Sequence, residues 1–91
     1  MYERRERVLI VDDEPALRAR LRAQVLAAGD FDVIEVGSGP AALADYQQHP
    51  PDLILLDLTL PGLSGLDVLV GLRAQGYGGP LIILGDAQSP R

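Results

Sequence analysis

The sequence contains no cysteine, no lysine and no tryptophan, and each absence excludes something. Without cysteine, the chain can form neither a disulfide nor a thiolate metal site. Without lysine, all eight basic side chains are arginines, and the formal net charge of −5 argues against a nucleic-acid binder, which usually carries a basic face. Aromatic residues make up only 4% of the chain, so aliphatic side chains must build the core.

Long hydrophobic runs are also missing. The longest lie around residues 8–11, 53–56 and 81–84 and are far too short to cross a bilayer. The N-terminal stretch MYERRER is charged throughout and is unlike a signal peptide. We therefore expect a cytoplasmic protein that does not bind membranes, and a chain of 91 residues suggests one domain.

Apolar runs alternate with segments of helical periodicity. The apolar runs predict four strands, at 7–11, 31–36, 53–57 and 81–84. Start signals at Pro15 and Ser38 and stop signals at Gly29 and Gly76 help to delimit three intervening helices, at 15–28, 39–48 and 66–75. Because apolar strands joined by helices are typical of parallel sheets, the order β-α-β-α-β-α-β predicts a doubly wound α/β fold.

The first predicted helix has one apolar stripe and several basic residues beside it. The stripe consists of Leu17, Leu21, Val25 and Ala28. The arginines that lie off this stripe are Arg18, Arg20 and Arg22. Since they lie off the apolar stripe, we expect these arginines to form a solvated face.

Acidic residues follow two of the strands. Asp12 and Asp13 end the first strand, in the stretch VLIVDDEP, and Asp57 ends the third. In a flavodoxin-like order, 2-1-3-4, these strands are neighbours, and ligands bind beyond the carboxyl ends of such strands. Crowded carboxylates repel one another, and Mg²⁺, which prefers oxygen ligands, would compensate their charge. A helix cap accounts for one of these acids but not for all three.

The stretches RVLIVDDEP and PDLILLDLTLPGLSGLDVL resemble the receiver domain of bacterial two-component response regulators, over residues 7–84. The resemblance implies that Asp57 is the phosphoacceptor and that Mg²⁺ is held by Asp12, Asp13, Asp57 and the backbone carbonyl of Thr59. It further implies a sensor histidine kinase or a small acyl phosphate as the phosphoryl donor. The family uses its first helix for kinase docking, which is a second interpretation of the arginines there. We expect a signalling domain and not an enzyme in its own right.

Two elements of the family pattern are missing. The family places a Ser or Thr hydroxyl just after the fourth strand and a lysine after the fifth, and both contact the phosphoryl group. This chain has Gly85 at the first position, followed by Asp86, and it has no lysine. We therefore expect phosphorylation to be slow or to change the conformation little, so that the switch output is impaired.

The family domain has five strands and five helices, whereas four strands and three helices are predicted here. We interpret residues 1–91 as a single receiver domain that is incomplete at its C-terminal end. The fourth strand would then be an apolar edge strand, which invites pairing. This predicts a homo-oligomer, formed through that strand or through exchanged terminal segments.

Two other functions compete with phosphate acceptance. The absent hydroxyl and lysine favour a degenerate receiver, an interaction module that works without phosphorylation. The stretch GSGPAA, residues 37–42, matches a dinucleotide-binding fingerprint with Asp57 about 20 residues further on. That second interpretation leaves Asp12 and Asp13 unexplained, and Ser38 is better explained as a helix start. No segment of the chain itself predicts direct nucleic-acid binding.

Overall fold

The computed structural model describes residues 5–60 and 62–84. Its elements in chain order are β1 (Glu6–Val11), α1 (Pro15–Ala28), β2 (Phe31–Val36), α2 (Gly39–Gln48), β3 (Leu53–Asp57), α3 (Gly65–Ala74) and β4 (Leu81–Leu84). All seven predicted elements are present, and their ends lie within one residue of the predicted ones. Among the described residues, no helix is long and apolar enough to cross a membrane.

The four strands form one parallel sheet in the order β2-β1-β3-β4. This confirms the predicted flavodoxin-like order. β1 lies between β2 and β3, and Val11 at its end is paired with Val36 of β2 and Leu56 of β3. Asp12, which follows β1, and Asp57, the last residue of β3, therefore lie side by side at the same edge of the sheet. Asp57, the last residue of β3, is paired with Leu84 at the end of β4.

Helices cover both faces of the sheet, which explains why β1 is apolar without alternation. Leu9 and Val11 belong to a core cluster that also contains Val68 and Leu72 of α3. α2 packs beside α3 on this face and contributes Ala42.

The opposite face of β1 belongs to a smaller cluster, in which Val8 and Ile10 pack against Leu21 and Val25 of α1. Of the four residues predicted for the apolar stripe of α1, Leu17, Leu21 and Val25 are partly buried, but Ala28 is exposed. The prediction for Ala28 is wrong because this residue ends α1, at the turn towards β2.

β4 is the outer strand on one side of the sheet, as far as the structure describes the chain. Ile82 and Ile83 point to opposite faces and are 50% and 40% exposed. Apolar side chains on both faces of β4 are therefore accessible in the described part of the chain. Gly85 and the residues after it lie outside that part.

Candidate metal centre

Three carboxylates meet where β1 and β3 end. One carboxylate oxygen from each of Asp12, Asp13 and Asp57 lies within 4.8 Å of the other two. Asp12 and Asp57 are 1% and 8% exposed, whereas Asp13 is exposed. The register explains the meeting, since Val11 is paired with Leu56 and the chain continues directly into the acids. The structure thus brings together three acids that come from two separate segments of the sequence.

Asp12 is held from several directions. Its backbone N–H donates to the carbonyl of Val36, at 3.1 Å, and so extends the pairing with β2. Its carboxylate oxygen Oδ1 accepts a hydrogen bond from the backbone N–H of Glu14, at 2.9 Å. The other oxygen, Oδ2, is buried and has no hydrogen-bond partner. Because buried polar atoms are almost always paired, this oxygen is open to a partner that the protein itself does not supply.

Burial and charge both act on the carboxyl group of Asp12. Removal from water raises its pKa above the ordinary value, and the neighbouring charges of Asp57, Asp13 and Glu14 raise it further. The hydrogen bond from the N–H of Glu14 opposes this rise only in part. A cation at this edge of the sheet would act in the opposite direction, because a positive charge favours the ionised form.

The carboxylate of Asp57 is oriented by the loop that follows it. Thr59 donates two hydrogen bonds to Oδ1 of Asp57, one from its backbone N–H at 2.9 Å and one from its hydroxyl at 2.8 Å. The sequence interpretation used only the carbonyl of Thr59 and missed the hydroxyl. A hydroxyl-bearing residue two positions after an acid is the available signal, because such short-range bonds to an Asp carboxylate are common in turns.

The segment between β3 and α3 requires glycine at two positions. Gly62 has a φ of 73°, in the left-handed region that glycine adopts without a steric penalty. A Cβ atom on Gly65 would lie 2.5 Å from the carbonyl oxygen of Asp57 and from Cα of Leu58. Gly65 therefore lets α3 begin directly against the backbone that carries Asp57.

Arg18 is the main residue near the site that the sequence interpretation missed. It was predicted to belong to a solvated face, but it is partly buried. Its guanidinium Nη1 donates to the backbone carbonyl of Asp12 at 2.8 Å, and its Nε pairs with Glu35 of β2 at 3.2 Å. Helical periodicity gives the face on which Arg18 lies, but it does not show which backbone atom outside the helix the side chain reaches.

The stretch GSGPAA forms a helix start. The hydroxyl of Ser38 accepts a hydrogen bond from the N–H of Ala41, as a helix cap does. A Cβ atom on Gly39 would lie 2.6 Å from Cγ2 of Val68, so Gly39 allows α2 to approach α3 closely. Capping and packing thus explain these residues without a dinucleotide.

The acidic site fits a hard divalent cation. All three of its acidic side chains offer carboxylate oxygens, the donor type that Mg²⁺ prefers, and one of these oxygens is buried and unpaired. The family resemblance also implies a backbone carbonyl ligand at Thr59, and this stays a prediction. Gly85, at the expected hydroxyl position, lies outside the described residues, so its predicted effect is likewise open to experiment.

Comparison with known proteins agrees with this fold. The response regulator receiver domain family matches residues 8–90. The DNA-binding response regulator MtrA of Mycolicibacterium smegmatis is 45% identical over 80 residues, which are 88% of this chain and 34% of MtrA. The chain thus spans about a third of the length of the curated relatives it matches.

Solved structures give the same result. The response regulator TrrA of Thermotoga maritima, in complex with Mg²⁺-BeF, matches with a TM-score of 0.82 and 32% identity, over 88% of this chain and 69% of TrrA. TrrA in complex with the histidine kinase ThkA matches with a TM-score of 0.78 and 32% identity, over 86% of this chain and 66% of that one. The doubly wound sheet, with acidic residues at the carboxyl ends of its strands, thus occurs in a chain that matches a known family. This chain belongs to the response regulator receiver domains of two-component signalling.

Proposed function

We propose that this receiver domain accepts a phosphoryl group on Asp57 in the presence of Mg²⁺. The observation that carries the proposal is Oδ2 of Asp12, which is buried and unpaired in a residue that shares its site with Asp13 and Asp57. A divalent cation would satisfy this oxygen and offset the repulsion of three like charges. No lysine or arginine side chain is required to offset this repulsion.

The proposed Mg²⁺ ligands are Asp12, Asp13, Asp57 and the backbone carbonyl of Thr59. When bound, the ion would neutralise charge on the phosphoryl oxygens. The complex of the related TrrA with Mg²⁺-BeF supports this choice of metal. Asp12 and Asp57 are nearly inaccessible to water and are held by backbone and hydroxyl donors, so the chain presents them already oriented.

Asp57 would act as a carboxylate nucleophile. One of its oxygens forms a bond to phosphorus, while the bond between phosphorus and the donor breaks. The electron pair of the broken bond stays on the donor atom, an imidazole nitrogen of a phosphohistidine or an oxygen of a small acyl phosphate. Because a carboxylate carries no proton, no general base is required. The chain supplies orientation, and we do not propose that it is an enzyme in its own right.

A sensor histidine kinase is the proposed phosphoryl donor. The complex of the related TrrA with the histidine kinase ThkA supports such a partner. A cytoplasmic location, expected from the sequence, fits a signalling partner of this kind and stays a prediction. The absence of direct nucleic-acid and membrane binding by this chain is likewise a prediction.

Intact mass measurement tests the proposed reaction. We expect the chain, incubated with Mg²⁺ and acetyl phosphate, to gain the mass of one phosphoryl group, and we expect chelation of the metal or the substitution Asp57→Asn to prevent the gain. Asp30→Asn, which changes an exposed acid paired with Arg5, is the matched control and should behave as wild type. No gain by the wild-type chain would overturn the proposal and favour a phosphorylation-independent interaction module.

We further propose that phosphorylation changes the conformation of this chain little. Gly85 stands where the family resemblance places a hydroxyl, so one contact that would favour the phosphorylated state is missing. Hydrogen bonds that involve charge contribute about 1.5–3 kcal/mol each, which is comparable to the bias that a switch requires. Amide NMR spectra with and without acetyl phosphate test this. Large shifts that extend through β4 would contradict it.

Self-association through β4 is the last part of the proposal. Ile82 and Ile83 are exposed on opposite faces of this outer strand, and an apolar edge strand is a template for pairing with another chain. Exchange of terminal segments between two copies is the other form of association that the sequence predicts.

A further inference from the structure

The peptide group between Asp12 and Asp13 is shared by two of the proposed metal ligands. Peptide groups are planar, so the orientation of this single plane affects the direction of both side chains. Its carbonyl oxygen belongs to Asp12 and lies outside the hydrogen bonds of α1, which begin with the bond from the N–H of Arg18 to the carbonyl of Glu14. The hydrogen-bond donor to this carbonyl therefore affects the orientation of both carboxylates.

Arg18 supplies the hydrogen-bond donor to the carbonyl of Asp12. Its Nη1 donates to the carbonyl of Asp12 at 2.8 Å. The guanidinium also lies against Gly37, where an added Cβ atom would be 3.2 Å from Nη1. The absence of a side chain at Gly37, just after β2, leaves space for the guanidinium to reach the backbone just after β1.

Glu35 of β2 holds the other side of the guanidinium. Its Oε1 pairs with Nε of Arg18 and its Oε2 with Nε of Arg22, each at 3.2 Å. The side chains of Arg18 and Glu35 are 22% and 30% exposed, whereas that of Arg22 is 50% exposed. Both arginines therefore share one carboxylate partner, but the carbonyl of Asp12 accepts its hydrogen bond from Arg18.

We propose that Arg18 is a positioning residue that fixes the peptide plane between Asp12 and Asp13 and so sets the affinity of the acidic site for a divalent cation. The inference rests on the proposed function, because it assumes that these acids bind a metal. The N–H of Asp12 is bonded to Val36 and its carbonyl to Arg18, so the residue is anchored on both sides. Without the guanidinium, the peptide plane can rotate and both carboxylates lose their common orientation.

Binding of Mn²⁺, a substitute with the same preference for oxygen ligands, tests the inference. Free Mn²⁺ is measured by electron paramagnetic resonance at a temperature at which circular dichroism shows every variant to be folded. We expect Arg18→Gln to weaken Mn²⁺ binding about tenfold, the lower end of what residues that orient metal ligands contribute. Arg22→Gln is the matched control, since it removes an ion pair with the same Glu35 but no contact with Asp12, and it should bind as wild type.

Amide NMR of the metal-free protein provides the spectroscopic signature of positioning. The resonances of Asp13 and Glu14 should shift in Arg18→Gln and stay in place in Arg22→Gln. Wild-type affinity of Arg18→Gln, or equal weakening in the two variants, would overturn the inference and leave the proposed function intact. Failure of the wild-type chain to bind Mn²⁺ would instead overturn both.

Discussion

At the scale of single residues, Asp12 combines burial with like charge. It is 1% exposed, and Asp13, Glu14 and Asp57 all raise the pKa of its carboxyl group in addition to the effect of burial. A raised pKa means that the folded chain binds the proton of Asp12 more readily than the unfolded chain does. In the metal-free protein, Asp12 therefore contributes stability that is gained as the pH falls through the raised pKa towards the ordinary value of 3.8, and that is lost as the pH rises through the raised pKa.

The substitution Asp12→Asn tests whether the buried charge of Asp12 destabilises the metal-free chain. We expect it to stabilise the metal-free chain at neutral pH by about 1 kcal/mol, an ordinary size for a single substitution. For a chain of this length, that corresponds to a rise of about 4–8 °C in the unfolding midpoint. Added Mg²⁺ should raise the wild-type midpoint and that of the variant much less. Asp13→Asn is the control with an exposed acid and should have a smaller effect without metal; equal midpoints of Asp12→Asn and wild type would contradict the argument.

Gly65 is the residue at which packing leaves no space for a side chain. In Gly65→Ala, the new Cβ would lie 2.5 Å from backbone atoms of Asp57 and Leu58, which cannot rotate away as a side chain can. We expect a loss of about 1–3 kcal/mol in the free energy of unfolding, as overpacking usually causes. Urea unfolding measures it. Gly78→Ala, where nothing lies within 4 Å and φ is not positive, is the control and should be close to neutral; equal losses in both variants would refute the packing argument.

At the scale of elements, α1 and β1 differ in burial although they are neighbours in sequence. α1 has no buried residue, and its N-cap residue Glu14 makes no capping hydrogen bond with its side chain. The residues of β1 from Val8 to Val11 are all buried. Local opening depends on how much apolar surface a segment exposes when it unfolds, so these two elements should open with different free energies.

Amide hydrogen exchange should reveal this difference. We expect the amides of α1 to exchange faster than those of β1 and β3 in the metal-free protein. The ion pairs of Arg18 and Arg22 with Glu35 attach α1 to β2, but exposed or partly exposed ion pairs contribute only about 0–1 kcal/mol. Protection of α1 equal to that of β1 would show that the helix is held by more than the contacts described above.

At the scale of the whole molecule, the proposed self-association rests on Ile82 and Ile83 of β4, which are exposed in the described part of the chain. We expect the wild-type protein to associate with rising concentration, as measured by light scattering coupled to size-exclusion chromatography. Ile82→Lys should reduce association, because a charge on an edge strand opposes pairing. Leu26→Lys is the matched control, since Leu26 is 40% exposed but lies on α1.

Two outcomes would contradict the prediction of association through β4. A wild-type chain that stays monomeric at high concentration contradicts self-association altogether. Equal effects of the two lysine substitutions contradict the role of β4, because general surface hydrophobicity would then account for association.

The amino-acid sequence determined the elements and the convergence of the acids. Apolar runs and helical stripes are local patterns, so the bounds of β3 and β4 follow from residues close in the chain. The rule that ligands bind beyond the carboxyl ends of parallel strands then predicts, for a flavodoxin-like strand order, that Asp12 and Asp57 lie together. Sequence patterns work here because they report which face of each element is buried.

Only the tertiary structure decided which atoms meet across the elements. The guanidinium of Arg18 at the carbonyl of Asp12 and the space that Gly65 leaves for the backbone of Asp57 both depend on how a helix packs against the end of a strand. Periodicity gives the direction of a side chain around its own helix, but not the depth at which that helix packs against the sheet. The acids could therefore be predicted as a group, whereas the residue that orients them could not.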